Sequence, residues 1–101
     1  MNKTIQYIRN DEHINGYPGI SVQLKAVNQY SSTHDLYVEK TFTDIDPFSQ
    51  ASMHEAIKFC DENNIKCIVM YNYKTLSHKS IDRVFVSKLL YDHGIKILFC
   101  Q

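Results

Sequence analysis

The sequence predicts an α/β domain: a small doubly wound, mainly parallel four-stranded sheet with three helices. Four β-type apolar segments alternate with three segments of helical periodicity, giving the order βαβαβαβ. Strands that alternate with helices of this length call for parallel pairing and right-handed crossovers. The third apolar segment, Lys66 to Tyr71 (KCIVMY), is a continuous run typical of a central parallel strand.

The first strand lies within Lys3 to Asp11 (KTIQYIRND). Ile5, Tyr7 and Ile8 supply β-forming side chains, and Arg9, Asn10, Asp11 and Glu12 make a charged tip. Ligands of open α/β sheets bind beyond the carboxyl ends of the strands, where chain order reverses. Arg9 to Asp11 is therefore the first candidate site. His13 to Gly19 (HINGYPG) is rich in turn residues and reads as a mobile flap, with Tyr17 its exposed aromatic. Ile20 to about Ser31 is helical, with Ile20, Leu24, Ala26 and Val27 at helical spacing.

His34 to Thr43 is the second strand, built on Leu36, Tyr37, Val38 and Phe42, and it runs into Asp44, Ile45, Asp46 and Pro47. Pro47 to Asn63 is the second helix. Ser49 or Ser52 serves as its N-cap, Ser52 and Glu55 form a capping box, and Met53, Ala56, Ile57 and Cys60 make the buried stripe. The loop Asn72 to Lys79 follows the third strand. Ser80 to His93 is the third helix, with Ile81, Val84, Phe85 and Leu89 on one face and Gly94 as its stop. Ile95 to Cys100 is the last strand.

A length of 101 residues fits one domain, 1–101, with no linker or repeat. No apolar run approaches the ~20 residues of a membrane span. Cys60, Cys67 and Cys100 are an odd number in apolar segments, the pattern of reduced core thiols in a cytoplasmic protein. Eleven basic and eleven acidic residues cancel, and only Arg9 and Arg83 are arginine. Nucleic-acid-binding domains usually carry a basic excess. No dinucleotide fingerprint, phosphate loop or zinc spacing is present, so no cofactor is expected.

Two constellations carry chemistry. Asp11 after the first strand, with Asp44 and Asp46 after the second, forms an acidic group suited to a hard cation such as Mg²⁺. The competing reading makes Asp46 a helix cap and Asp44 a turn residue. The other constellation is Arg9 and Gln23 with the loop residues Tyr71, Lys74, Ser77 and His78. Lys74, His78 and Lys79 make a small basic spot.

Four stretches of the chain, in register, resemble motifs of the serine recombinase (resolvase/invertase) catalytic domain. Tyr7-Ile8-Arg9-Asn10-Asp11 is similar to Y-x-R-x-S, and Ser21-Val22-Gln23-Leu24 to S-x-x-Q-L or x-x-Q-L. Val69 to His78 is similar to V-x-Y-K-x-D-R-L-S-R, and Asp92 to Ile97 to x-x-G-V-x-[FL]. The resemblance runs from about Lys3 to Gln101 and implies that family's fold. It also implies a site at Arg9, Asp11, Gln23, Lys74, Thr75 and His78.

The departures change the chemistry. Asp11 stands where the family has its nucleophilic serine. Thr75 and His78 stand where it has two arginines, Lys74 where it has an aspartate, and Gln50-Ala51 where many members have Arg-Pro. Phosphoryl transfer needs a positioned nucleophile and cations for the developing charge, and losing one such donor costs ~10²–10³ in rate. The resemblance therefore implies a degenerate, catalytically inactive module that modulates recombination or binds a protein. Its expected partners are a recombinase or a second copy, with weak DNA contact through Arg9, Lys74, His78 and Lys79. Members continue into a long helix and a DNA-binding domain; this chain is expected to stop at its last strand without them. The alternatives are a small metal-dependent enzyme using Asp11, Asp44 and Asp46, or a residual DNA-binding fragment.

Overall fold

The computed structural model describes residues 2–101. The elements are β1 (Asn2–Arg9), α1 (Ile20–Thr33), β2 (Leu36–Asp44), α2 (Ala51–Asn63), β3 (Cys67–Met70), a 3₁₀ turn (Tyr73–Leu76), α3 (Ser80–Asp92) and β4 (Lys96–Phe99). All strand pairs are parallel, in the order β2-β1-β3-β4. The expected architecture is thus the observed one.

Two cores explain the two-sided winding. Ile5, Tyr7, Ile68 and Met70 face Met53, Ala56, Ile57 and Cys60 of α2 and Leu90 of α3. Ile8 and Val69, pointing the other way, pack on Val27 of α1. Side chains alternate along each strand, so both faces of β1 and β3 are covered, and Thr4 to Arg9 are buried without interruption. The polar members of that run are matched: Thr4 donates to the Cys67 carbonyl, and the Gln6 amide meets Asn28, Ser31 and Thr41. Among the described residues, no buried side-chain nitrogen or oxygen lacks a hydrogen-bond partner.

After β1 the chain crosses to β2 on one side; after β3 it crosses to β4 on the other. The order reverses between β1 and β3, which opens the crevice beyond their carboxyl ends. Arg9 to Asp11 and the loop after β3 border it.

Three local expectations need correction. Leu24 does not enter the core: it is exposed, and α1 instead buries Gln23, Val27 and Ser31, spaced four residues apart. α2 begins at Ala51 rather than Pro47, and neither serine is its N-cap residue. Its first turn is satisfied from outside, because the Ser52 amide donates to Asp44 Oδ1 at 3.0 Å, while the Ser52 hydroxyl turns back to the Thr43 carbonyl. The third correction concerns α3, whose Ile81, Val84 and Phe85 are 63%, 58% and 64% exposed. The inward face of α3 is Leu90 with the half-buried Val86 and Leu89.

Candidate functional site

The crevice is organised by a buried arginine. Arg9 ends β1 with no exposed surface, and it is the largest fully buried side chain among the described residues. Its five N–H donors all have acceptors. Nε donates to the Thr75 carbonyl at 3.2 Å, and Nη1 to the carbonyls of Pro47 and Ser49 at 3.0 and 2.8 Å. Nη2 donates to the Tyr7 hydroxyl and, at 3.0 Å, to Gln50 Oε1. The Tyr7 hydroxyl in turn donates to Asp44 Oδ2 at 2.6 Å, and that oxygen lies 3.7 Å from Arg9 Nη2. Burial drives the Tyr7 phenol far above its ordinary range, against the pull of the Arg9 charge, so it remains a neutral relay.

Gln23 serves the same strand end. Its Nε2 donates to the carbonyls of Arg9 at 2.7 Å and Pro18 at 2.9 Å, and its Oε1 accepts from the Arg9 amide at 3.2 Å. The side-chain amide thereby pairs with both backbone groups of Arg9. The expected flap is also tied down. The Tyr17 hydroxyl bonds to Thr75 Oγ1 and reaches Gln23 Oε1, and its ring sits edge-on to Tyr71. Tyr17 is half-buried rather than the exposed aromatic expected. Burial raises its phenol from 10.0 to about 12, opposed by the Thr75 hydrogen bond.

Asp11 is buried at the crevice mouth. Its Oδ1 accepts from the His13 amide at 3.2 Å, and its Oδ2 accepts from His78 Nδ1 at 2.8 Å. The rings of His13, Phe48 and His78 pack against one another with centroids 4.9 to 5.8 Å apart. They join the loops after β1, β2 and β3 over the carboxylate. Arg83 braces the last of these loops by donating to the Ser77 and His78 carbonyls.

The two expected constellations fare differently. Arg9, Asp11, Gln23, Thr75 and His78 do converge. Their roles differ from those the resemblance implies: Arg9 has no donor left for a phosphate, and His78 Nδ1 is held by Asp11. Lys74 and Lys79 lie exposed on the rim. The acidic group does not form a metal site. Asp11 holds His78, Asp44 holds Tyr7 and the start of α2, and Asp46 Oδ1 accepts from the Phe48 amide at 2.9 Å. Among the described residues no cluster of three or more His, Cys, Asp or Glu is placed to hold a cation. Sequence reasoning missed Tyr7, Tyr17 and Gln50 as site residues. Tyr7 had a signal: a buried tyrosine two residues from an arginine on one strand shares its face and needs a hydroxyl partner.

No protein-family model and no curated protein sequence matches the chain. Solved structures do. The chain is similar to the N-terminal catalytic domain of TP901-1 integrase, with a TM-score of 0.77 and 18% identity, covering 98% of this chain and 77% of that one. It is similar to the C-terminal catalytic domain of ISC1926 TnpA, an IS607-like serine recombinase, with a TM-score of 0.77 and 13% identity over 98% of this chain and 67% of that one. The corresponding domain of IS1535 TnpA, another IS607-like serine recombinase, gives 0.65 and 12% over 95% and 69%. The chain has the fold of serine recombinase catalytic domains over nearly its whole length.

Two outcomes follow from this geometry. Arg9→Ala leaves Asp44 buried without its cation and several carbonyls without donors, so urea denaturation should show a loss of about 3–5 kcal/mol. Tyr17 keeps its proton in the folded state when the unfolded chain loses it. Stability should therefore be undiminished by this group below pH 10.0 and fall as pH rises through about 12. Melting curves of Tyr17→Phe should lack that part of the alkaline fall.

Proposed function

We propose that the chain is a recombinase-fold module that does not cut DNA and acts by binding a protein partner. The observation that carries this reading is the internal satisfaction of the crevice: the Asp11 carboxylate is buried against His78, and Arg9 is fully engaged within the fold. A strand-transfer site of serine type needs a free nucleophile and unpaired cationic donors aimed at a phosphate. Here a carboxylate occupies the mouth and repels an incoming phosphate, while the lysines exposed at the rim among the described residues are Lys74 and Lys79. They support at most weak, salt-sensitive DNA contact. Three unpaired cysteines support a reducing compartment, the cytoplasm.

The partner surface in this reading is the outer face of α3. Ile81, Val84 and Phe85 are consecutive on that face and mostly exposed, an apolar patch of the kind that marks association. The partner proposed is a second chain of the same fold, this chain's own copy being the simplest case.

The decisive test is incubation of the protein with supercoiled plasmid DNA, followed by denaturing electrophoresis. Neither nicked DNA nor a protein–DNA adduct is expected, and Asp11→Ser should stay inactive because the cationic donors are still missing. An adduct through residue 11 would overturn the reading. Sedimentation velocity addresses the partner. Wild-type protein should self-associate reversibly, and Phe85→Glu should weaken association at least about tenfold without lowering the melting temperature. A concentration-independent monomer would remove self-association as the mode of action.

A further inference from the structure

The sheet ends in two unlike edges, β2 and β4 being its outer strands. The β2 edge is guarded. Glu39 and Lys40 sit on it, and its register against Thr4 and Ile5 jumps from Val38 to Lys40, so Glu39 is an inserted bulge residue. Bulges and charges of this kind keep an edge from pairing with another chain. The β4 edge has neither device. Its pairing with β3 runs unbroken from Lys96 to Phe99, and Ile97, Leu98 and Phe99 carry no charge. The amides of Lys96 and Cys100 donate to the Lys66 and Met70 carbonyls on the β3 side, at 2.8 and 3.1 Å. Alternation then turns the N–H and C=O of Ile97 and Phe99 to the free side, where no strand lies among the described residues.

A two-fold axis through Leu98, perpendicular to the sheet, fits this edge to itself. Antiparallel pairing about that axis sets Ile97 of one copy opposite Phe99 of the other, twice, each pair exchanging both of its hydrogen bonds. A β-branched side chain opposite an aromatic one is a favourable cross-strand pair. Lys96 falls opposite Cys100, so like charges do not meet. Leu98 falls opposite its own copy, on the sheet face that carries α1.

The same axis covers a second exposed feature. α3 sends Val86, Leu89 and Leu90 into the core it shares with Ile68 and Met70 of β3 and Ile97 and Phe99 of β4, so it lies over that strand pair. Its flank toward the free edge is open: Ser87 and Tyr91 border a cavity of about 680 Å³ whose other wall is Ile95 to Ile97. Tyr91 is 81% exposed, and Val84, two turns earlier on this flank, is exposed as well. A helix over the outer strand pair lies one strand spacing, ~4.8 Å, from the axis. Rotation about the axis keeps both α3 helices on one face and brings them about 10 Å apart, the separation of packed helices. We infer that two copies join through their β4 edges, about an axis at Leu98, into one continuous sheet with the α3 helices packed across the axis. This inference rests on the self-association proposed above and supplies its geometry.

The test is amide hydrogen exchange, read by NMR in dilute and in concentrated protein, with sedimentation velocity on the same samples. The Ile97 and Phe99 amides should exchange at least about tenfold more slowly at the higher concentration, while Leu98, bonded toward β3, is protected at both. Crosslinking reads the register. Under mild oxidation Leu98→Cys should form a disulfide-linked dimer, because the axis sets this residue against its copy at cross-strand distance. Tyr37→Cys, on the β2 edge and more exposed, should not, nor should the wild-type chain. A monomer at every concentration overturns this inference together with the self-association. A dimer whose Ile97 and Phe99 amides exchange as fast as in the monomer overturns the strand pairing and leaves association through α3 standing. A dimer in which Leu98→Cys links no faster than Tyr37→Cys overturns it as well.

Discussion

A guanidinium shut away from water is the constraint on which the crevice depends. Removing such a charge from solvent costs several kcal/mol unless its donors are all matched, and Arg9 is matched by reshaping what surrounds it. The carbonyls of Pro47 and Ser49 point at Nη1, so the segment after β2 cannot be helical there. That is why α2 starts at Ala51 rather than at the proline. The first helical amide, Ala51, donates to Ser49 Oγ, and the next, Ser52, donates to Asp44, the same carboxylate that accepts from the Tyr7 hydroxyl. One buried cation thus fixes the end of β1, the turn after β2, the start of α2 and the 3₁₀ turn after β3.

The remaining polar groups follow the same logic of pairing across loops. Gln23 completes the backbone of Arg9 as a neighbouring strand would. Tyr17 fastens the loop after β1 to Thr75, and Asp11 fastens it to His78. Each contact joins segments remote in sequence, so the loops around the crevice hold one another in place. A crevice whose donors and acceptors are matched internally gains rigidity and gives up its capacity to take a charged substrate without first breaking those bonds.

Where sequence reading succeeded and failed has a physical cause. Alternating strand and helix segments revealed the sheet, and the reversal rule located the crevice at Arg9 to Asp11. Burial within the helices was less legible. The inward stripe of α1 is Gln23, Val27 and Ser31, two of its three members being polar because they serve β1 rather than a greasy core. In α3 both faces are apolar: Ile81, Val84 and Phe85 outside, Val86, Leu89 and Leu90 inside. Periodicity identifies such a helix but not which side the sheet covers. Arg9, Asp11, Gln23, Thr75 and His78 converge at the crevice, but their partners were not legible, since Arg9 bonds to backbone carbonyls, which residue identity does not advertise.

The resemblance to serine recombinases makes Arg9 and Gln23 look like remnants of a phosphate-handling site, but the geometry offers a different reason for their presence. Both are tied to the backbone: one holds three carbonyls from two separate segments, the other the amide and carbonyl of a strand end. Losing either would unpair buried groups, and the cost falls on stability whether or not any DNA is ever cut. Residues 11 and 78 have no such backbone duty in this fold beyond the turn at His13. They differ from the recombinase pattern together, a carboxylate facing an imidazole at 2.8 Å where the resemblance places a hydroxyl and a guanidinium. The positions that match the recombinase pattern here are those the fold needs. Of the positions that depart from it, Asp11 and His78 are partners of each other.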